Sequence, residues 1–355
     1  MQKKPQSRPL TGAIALLLTG AAAHAAPVTT FAPDGTAHIV DLTVPIPRTL
    51  SPQAQALLRA NAAAGDPTHG LTLPLQQMRA ANNARQEETT RQLLRMYQVT
   101  VAKKTLAGVP VTLIMPLPVH ADGKVPDRND RLLINVHGGA FFLGQGSITE
   151  AIPIAAKTGI PVLAVDYRLA PETPFPGAVD DTIAVYRELL KTYSPRHLAL
   201  YGSSAGAVLS AQTAVRARQL GLPLPAALGF FSGTVDFARP GDSEAFFTIG
   251  GLGPLVTPVA IQAHGYLADN SLSDPVLSPA YADVKGFPPV LLMCGTRDFF
   301  LSGTTNFHRQ LLRAGVAAEL VVFDAMPHVH WDNPGLPESQ EALDIQARFL
   351  AEHVN

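Results

Sequence analysis

From position 132 to the end of the chain, short apolar runs alternate with stretches of helical length. The runs fall at 132–136 (Leu-Leu-Ile-Asn-Val), 161–165, 198–201, 228–231, 290–293 and 320–323. They are apolar almost throughout instead of alternating, which marks strands buried on both faces. Helical segments lie between and after them, near 148–158, 178–193, 205–219, 303–314 and 338–353. Strand and helix in alternation predict a mostly parallel sheet covered by helices on both sides. Ahead of this region, 97–102 and 109–115 flank Ala107-Gly108 and predict a hairpin. Ser51-Pro52-Gln53 opens a helix with Ser as N-cap and Pro at the first position, and its apolar positions include Ala54, Leu57 and Leu58. A break rich in Gly and Pro at 65–74 separates it from a second helix at 76–96.

Three regions do not follow this rhythm. Residues 27–50, rich in Pro, Thr and small side chains, are expected to form an extended arm. Residues 233–270 carry Pro240-Gly241, Gly250-Gly251 and Gly253-Pro254 and read as an insertion. The first residues read as an address: Lys3, Lys4 and Arg8, an apolar run from about Leu10 to Ala23, then the small-residue pair of Ala23-His24-Ala25. That order is a secretory signal, expected to be cut after Ala25. Its apolar run is short of the roughly 20 residues that span a bilayer, so no stable membrane anchor is expected. Export to a periplasm or the medium follows, and a single cysteine suits an oxidising compartment.

Composition narrows the classes. A chain of 355 residues can hold one large domain or two ordinary ones. Hydrophobic residues make up 46% and charged residues 15%, so a large core is available and wholesale disorder is excluded. With 27 basic and 28 acidic residues, the formal charge of −1 offers no field for nucleic acid or an anionic membrane. Cys294 stands alone, which excludes an internal disulfide and any multi-cysteine metal site. No internal repeat is evident.

Gly202-Ser203-Ser204-Ala205-Gly206 follows a strand and opens a helix. In that context G-x-S-x-G holds a serine on a tight turn, with its hydroxyl exposed at the sheet edge. His137-Gly138-Gly139-Ala140-Phe141 also follows a strand, and its glycines allow backbone N–H groups to approach an oxyanion, together with the N–H of Ala205. His137 itself is expected to hold the loop. An acid and a base should follow the serine in that order. Asp298, just past the strand at 290–293, sits where catalysis collects in such sheets. Asp274 reads as a loop brace, and Asp324 ends the last strand. His328 and His330 both follow that strand, and position alone does not choose between them.

Taken together these segments resemble the hormone-sensitive-lipase-like esterases, bacterial family IV of the α/β-hydrolase fold. His137 to Ala140 is similar to the family's HGGG or HGGA, and Asp166-Tyr167-Arg168-Leu169-Ala170-Pro171-Glu172 to its DYRLAPE. Gly202 to Gly206 resembles GDSAG, Asp274 to Pro279 resembles DPxxSP, Gly295 to Asp298 GxxD, and Met326-Pro327-His328 the MxH of the base motif. The resemblance covers about residue 51 to the C-terminus. It implies a serine carboxylesterase with Ser204 as nucleophile, His328 as base and Asp298 as acid. Gly138, Gly139 and Ala205 would donate to the oxyanion, and Arg168 and Glu172 would brace loops. It implies no metal and no organic cofactor, and a small-molecule ester as substrate. A monomer or homodimer is expected. Deacetylation or lactone hydrolysis on a glycan or natural product, and amide or peptide hydrolysis by the same triad, are the alternatives. The expected organisation is a signal at 1–25, an arm and cap helices at 26–96, and a catalytic domain at 97–355 with a cap insertion about 233–270. Phe141, Phe142, Ser203, Phe246, Phe247, Leu252 and Leu255 are candidate substrate-lining residues. The chain departs from the family at Ser203, where Asp is usual, at Ala207, where Gly is usual, and at Val329-His330, where Gly-Phe is usual.

Overall fold

The computed structural model describes residues 28–31, 33, 37–40, 45–63, 73–117, 130–246 and 265–354. The signal-like segment 1–25 and the stretch 247–264 of the expected insertion lie outside the described residues. The chain divides at Pro45 into two units. In the first, β1 (Val28–Phe31) and β2 (Ala37–Val40) pair antiparallel, Val28 against Val40 and Phe31 against Ala37. A hairpin thus stands where the sequence suggested an extended arm.

The second unit begins with two helices, α1 (Pro52–Ala63) and α2 (Leu75–Met96). Ser51 caps α1 by accepting the Ala54 N–H at 3.1 Å, as the Ser-Pro pair predicts. The predicted hairpin follows as β3 (Val99–Leu106) and β4 (Val109–Pro116). From there strand and helix alternate: β5 (Leu132–Val136), α3 (Ala151–Thr158), β6 (Val162–Val165), α4 (Gly177–Leu189), β7 (Leu198–Ser203), α5 (Ala205–Gln219) and β8 (Ala227–Phe231). A short helix α6 (Asp242–Phe246) precedes β9 (Val290–Arg297), α7 (Leu301–Arg313), β10 (Ala318–Pro327) and α8 (Pro337–His353).

One eight-stranded sheet results, in the order β10-β9-β8-β7-β5-β6-β4-β3. The pairs from β6 to β10 are parallel, and β4 joins β6 and β3 antiparallel. Both faces are apolar because both are covered. Leu132, Ile134 and Val136 of β5 enter the core cluster shared with α4, α5 and α7, while Leu133 enters the one shared with α3 and α8. β9 divides likewise, Val290 and Leu292 to one side and Leu291 and Met293 to the other. Period-two geometry turns a continuous apolar run into two buried faces.

The topology also places the site. β6 lies on one side of β5 and β7 on the other, so the chain reverses its winding direction at β5. Such a reversal opens a crevice at the carboxyl ends of the strands, where α/β proteins bind ligands. The first turn of α5 crosses the end of β5 at very short range. A Cβ on Gly206 would stand 1.9 Å from the Val136 carbonyl oxygen, and one on Gly202 would stand 2.2 Å from the same atom. Two backbone segments touch there, so no rotamer change relieves the clash. Gly206→Ala is therefore expected to cost about 3 kcal/mol or more of stability, read from urea unfolding curves. An unchanged midpoint would contradict this crossing.

Candidate active site

Ser204 stands between β7 and α5 at φ 57° and ψ −122°. A non-glycine residue at positive φ is strained and persists only where its surroundings hold it. Here the Ser204 N–H donates to the Phe231 carbonyl at 2.8 Å, fastening the turn to β8. Ala140 (φ 52°), Phe141 (φ 67°), Ser232 (φ 56°) and Val329 (φ 51°) also have positive φ.

His328 lies just past β10, and its Nε2 is 3.0 Å from Ser204 Oγ. Its Nδ1 is 3.0 Å from Asp298 Oδ1, just past β9. Asp298 is fully buried. The Phe300 N–H also donates to Oδ1, at 2.9 Å, and the Ser232 hydroxyl donates to Oδ2. Burial alone would push this carboxyl up. The charge of His328 and the hydrogen bonds from His328, Ser232 and Phe300 outweigh it and hold the group below the usual range. An ionised carboxylate only accepts, so Nδ1 carries the imidazole proton and Nε2 is left to accept from the serine hydroxyl. The rings of Phe299 and Phe300, with centroids 4.3 and 5.6 Å from that of His328, flank the imidazole.

The competing residues are occupied elsewhere. His330 is fully buried against Phe323 and Trp331, and neither of its ring nitrogens makes a well-formed hydrogen bond. Asp274 accepts the N–H groups of Val276 and Leu277 at 2.7 and 3.1 Å, a turn brace. Asp324 accepts the Thr49 hydroxyl at the surface. His137 stacks on Tyr167 with centroids 4.2 Å apart, and its Nδ1 bonds the Gly138 carbonyl at 2.7 Å. Arg168 clasps Asp181, and Glu172 pairs with Arg79 of α2. Arg79 also donates to the carbonyls of Phe142 and Ala170, so α2 pins the loop after β5.

Three expectations need correction. Gly138 is not a free oxyanion donor, because its N–H donates to Glu150 Oε1 at 3.0 Å. The N–H groups of Gly139 and Ala205 have no acceptor among the described residues. Ser203 does not face the substrate side. Its hydroxyl accepts Trp331 Nε1–H at 3.0 Å and lines a polar cleft with Tyr201, Glu150 and Asp332. The residue before the serine points to the opposite face of the strand, as period two requires. Phe142 is buried in the main core cluster and does not line the cavity beside Ser204.

That cavity is lined by Ala140, Phe141, Val208, Phe237 and Phe300, with Ser204 and Ala205 at one wall. Phe141 stacks on Tyr266 with centroids 3.6 Å apart, which fixes the aromatic floor. Phe246 closes α6, with its side chain outside the described residues, and Phe247, Leu252 and Leu255 lie outside them altogether. Sequence reasoning missed Ser232, Phe237, Phe300 and Glu150. Ser232 directly follows β8 and Phe300 lies two residues past Asp298, so the strand-end rule that found Asp298 could have found both.

A family model described as the alpha/beta hydrolase fold matches residues 133–332. An acetyl-hydrolase of Streptomyces hygroscopicus is 35% identical over 232 residues, which cover 63% of this chain and 77% of that one. The crystal structure of esterase E25 superposes with a TM-score of 0.78 at 31% identity, covering 90% of this chain and 99% of the other. An esterase from the bacterial hormone-sensitive lipase family superposes with a TM-score of 0.72 at 31% identity, covering 86% and 99%. The chain therefore belongs to the α/β-hydrolase fold family, as an ester hydrolase of its hormone-sensitive-lipase-like group.

The buried His330 has a consequence in acid. Burial pushes its imidazole down to about 4, from roughly 6.5 when unfolded. Between those values the unfolded chain holds more protons, so this contribution to stability is complete above pH ~6.5 and is lost as pH falls through 4. His330→Phe is expected to flatten the fall of the urea midpoint between pH 6.5 and 4. An equally steep fall in the variant would show that the acid sensitivity arises elsewhere.

Proposed function

We propose that the protein is a serine carboxylesterase acting on short- to medium-chain esters through an acyl-enzyme. One observation carries this reading: the hydrogen-bonded chain from Ser204 through His328 to Asp298 opens onto a small aromatic cavity. Ser204 Oγ attacks the ester carbonyl as its proton passes to His328 Nε2. Asp298 stabilises the imidazolium that forms and holds its orientation. The carbonyl oxygen, now negative, takes the N–H groups of Gly139 and Ala205. Collapse expels the alkoxide, which receives the proton from Nε2. Water then attacks the acyl group with the same imidazole as base, and Ser204 is released.

The floor made by Phe141, Val208 and Phe237 favours short acyl groups. The likeness to an acetyl-hydrolase supports the smallest of these, and acetylated glycans or natural products are a second reading of the substrate. The basic-apolar-small order of the first residues supports export. No described helix is long and apolar enough to cross a membrane. We assign the helices α1 and α2 and residues 233–246 of the insertion to the cap over the acyl cavity.

On p-nitrophenyl acetate, Ser204→Ala should lower kcat by at least about a thousandfold. Activity near wild type in this variant would sink the reading. His328→Ala should be as damaging and His330→Ala far milder, within about tenfold; equal, modest losses would overturn the base assignment. Across p-nitrophenyl esters, kcat/KM should peak at or below about six acyl carbons. A maximum near ten carbons or beyond would contradict the small cavity.

A further inference from the structure

Glu150 precedes α3, yet its side chain does not cap that helix. It turns inward instead. Its Oε1 accepts the N–H of Gly138 at 3.0 Å, the residue directly before the oxyanion donor Gly139. Its carboxyl also lines one cleft with the side chain of Ser203, the residue directly before the nucleophile. Ser203 in turn accepts Trp331 Nε1–H, three residues past the base His328. One carboxyl group thus holds the loop after β5 and stands in the cleft where the turn after β7 bonds the loop after β10. The first two lie against each other, for a Cβ on Gly138 would stand 2.9 Å from the Ser203 carbonyl oxygen.

We propose that Glu150 is a positioning residue for the oxyanion hole, a cross-tie that holds the two N–H donors and the base loop in register. This rests on the reading of Ser204, Gly139 and Ala205 given above. The tie works through the neutral acid. Burial, and then the nearby Asp332 carboxylate, push the Glu150 carboxyl well above the usual carboxylate range. A neutral acid next to the oxyanion site adds no charge that would repel the developing negative oxygen. The acid proton also has a place to go. Asn135 Nδ2 lies 3.4 Å from Oε2, and Asn135 Oδ1 is buried with no partner. Turning that amide over offers Oδ1 to the Oε2 proton.

The test separates reach from charge. Glu150→Gln keeps the length of the side chain and its neutral acceptor. Glu150→Asp keeps the acid and shortens the reach by about 1.5 Å. With p-nitrophenyl acetate, the Gln variant should keep kcat within about threefold, and the Asp variant should lose about tenfold or more with KM within about threefold. Folding is checked by circular dichroism melts. Wild-type kcat in folded Glu150→Asp, or equal losses in both variants, would overturn the proposal. If Glu150→Asp does not fold, Ser203→Ala removes the acceptor of Trp331 Nε1–H in the cleft that Glu150 lines and should lower kcat several-fold at unchanged KM; an unchanged kcat there would overturn the proposal. Ser204→Ala runs beside them. Its retained activity would defeat the underlying reading, whereas a dead Ser204→Ala with a fully active Glu150→Asp would defeat this inference alone.

Discussion

The contact on which the site depends is the one between the Val136 carbonyl and the turn from Gly202 to Gly206. An oxyanion is stabilised only by donors about 3 Å from where the negative oxygen will stand. In the proposed reading those donors would come from two loops on adjacent strands, the loop after β5 and the turn after β7. A sheet alone keeps adjacent backbones ~4.8 Å apart and says nothing of their loops. The glycines at 202 and 206 let the turn fall onto the end of β5, closer than any side chain permits. Ala140, next to Gly139, and Ala205 then line one small space beside Ser204.

Two acids near that space meet opposite electrostatic fates. Both are withdrawn from water, which penalises the charged form. Asp298 has His328 and hydrogen-bond donors around both oxygens, and it stays ionised. Glu150 faces a second carboxylate, and its proton is held more tightly. In the proposed mechanism one acid would supply negative charge to the imidazole, while the other would supply hydrogen bonding without charge beside the oxyanion. Environments that push neighbouring acids apart in this way divide their roles.

Much of this was legible from residue types. The run 132–136 coincides with β5 at both ends, because both faces of that strand are buried and every position announces it. The edges of the sheet were harder to read. β3 runs on through Lys103 and Lys104 to Leu106, exposed along most of its length, so hydropathy does not mark it. β9 and β10 extend past their apolar runs to Arg297 and Pro327, and Asp298 and His328 directly follow them. At the site, Ser204, Asp298 and His328 each sit at a strand end with a spacing that chain order can rank. The choice between Gly138 and Gly139 is different in kind. It turns on which N–H meets Glu150, a contact across 12 residues that no motif encodes.

Ser204, Ala140, Phe141, Ser232 and Val329, all at positive φ, gather around one site. Each holds roughly 1–3 kcal/mol that relaxation would return. Five of the eight non-glycine residues at positive φ among the described residues thus stand at the working part, beside a rigid sheet. Selection for heat tolerance would find its easiest gains here, in residues that let these turns relax. Such gains would loosen the geometry that chemistry requires, so for this enzyme durability and turnover draw on the same few bonds.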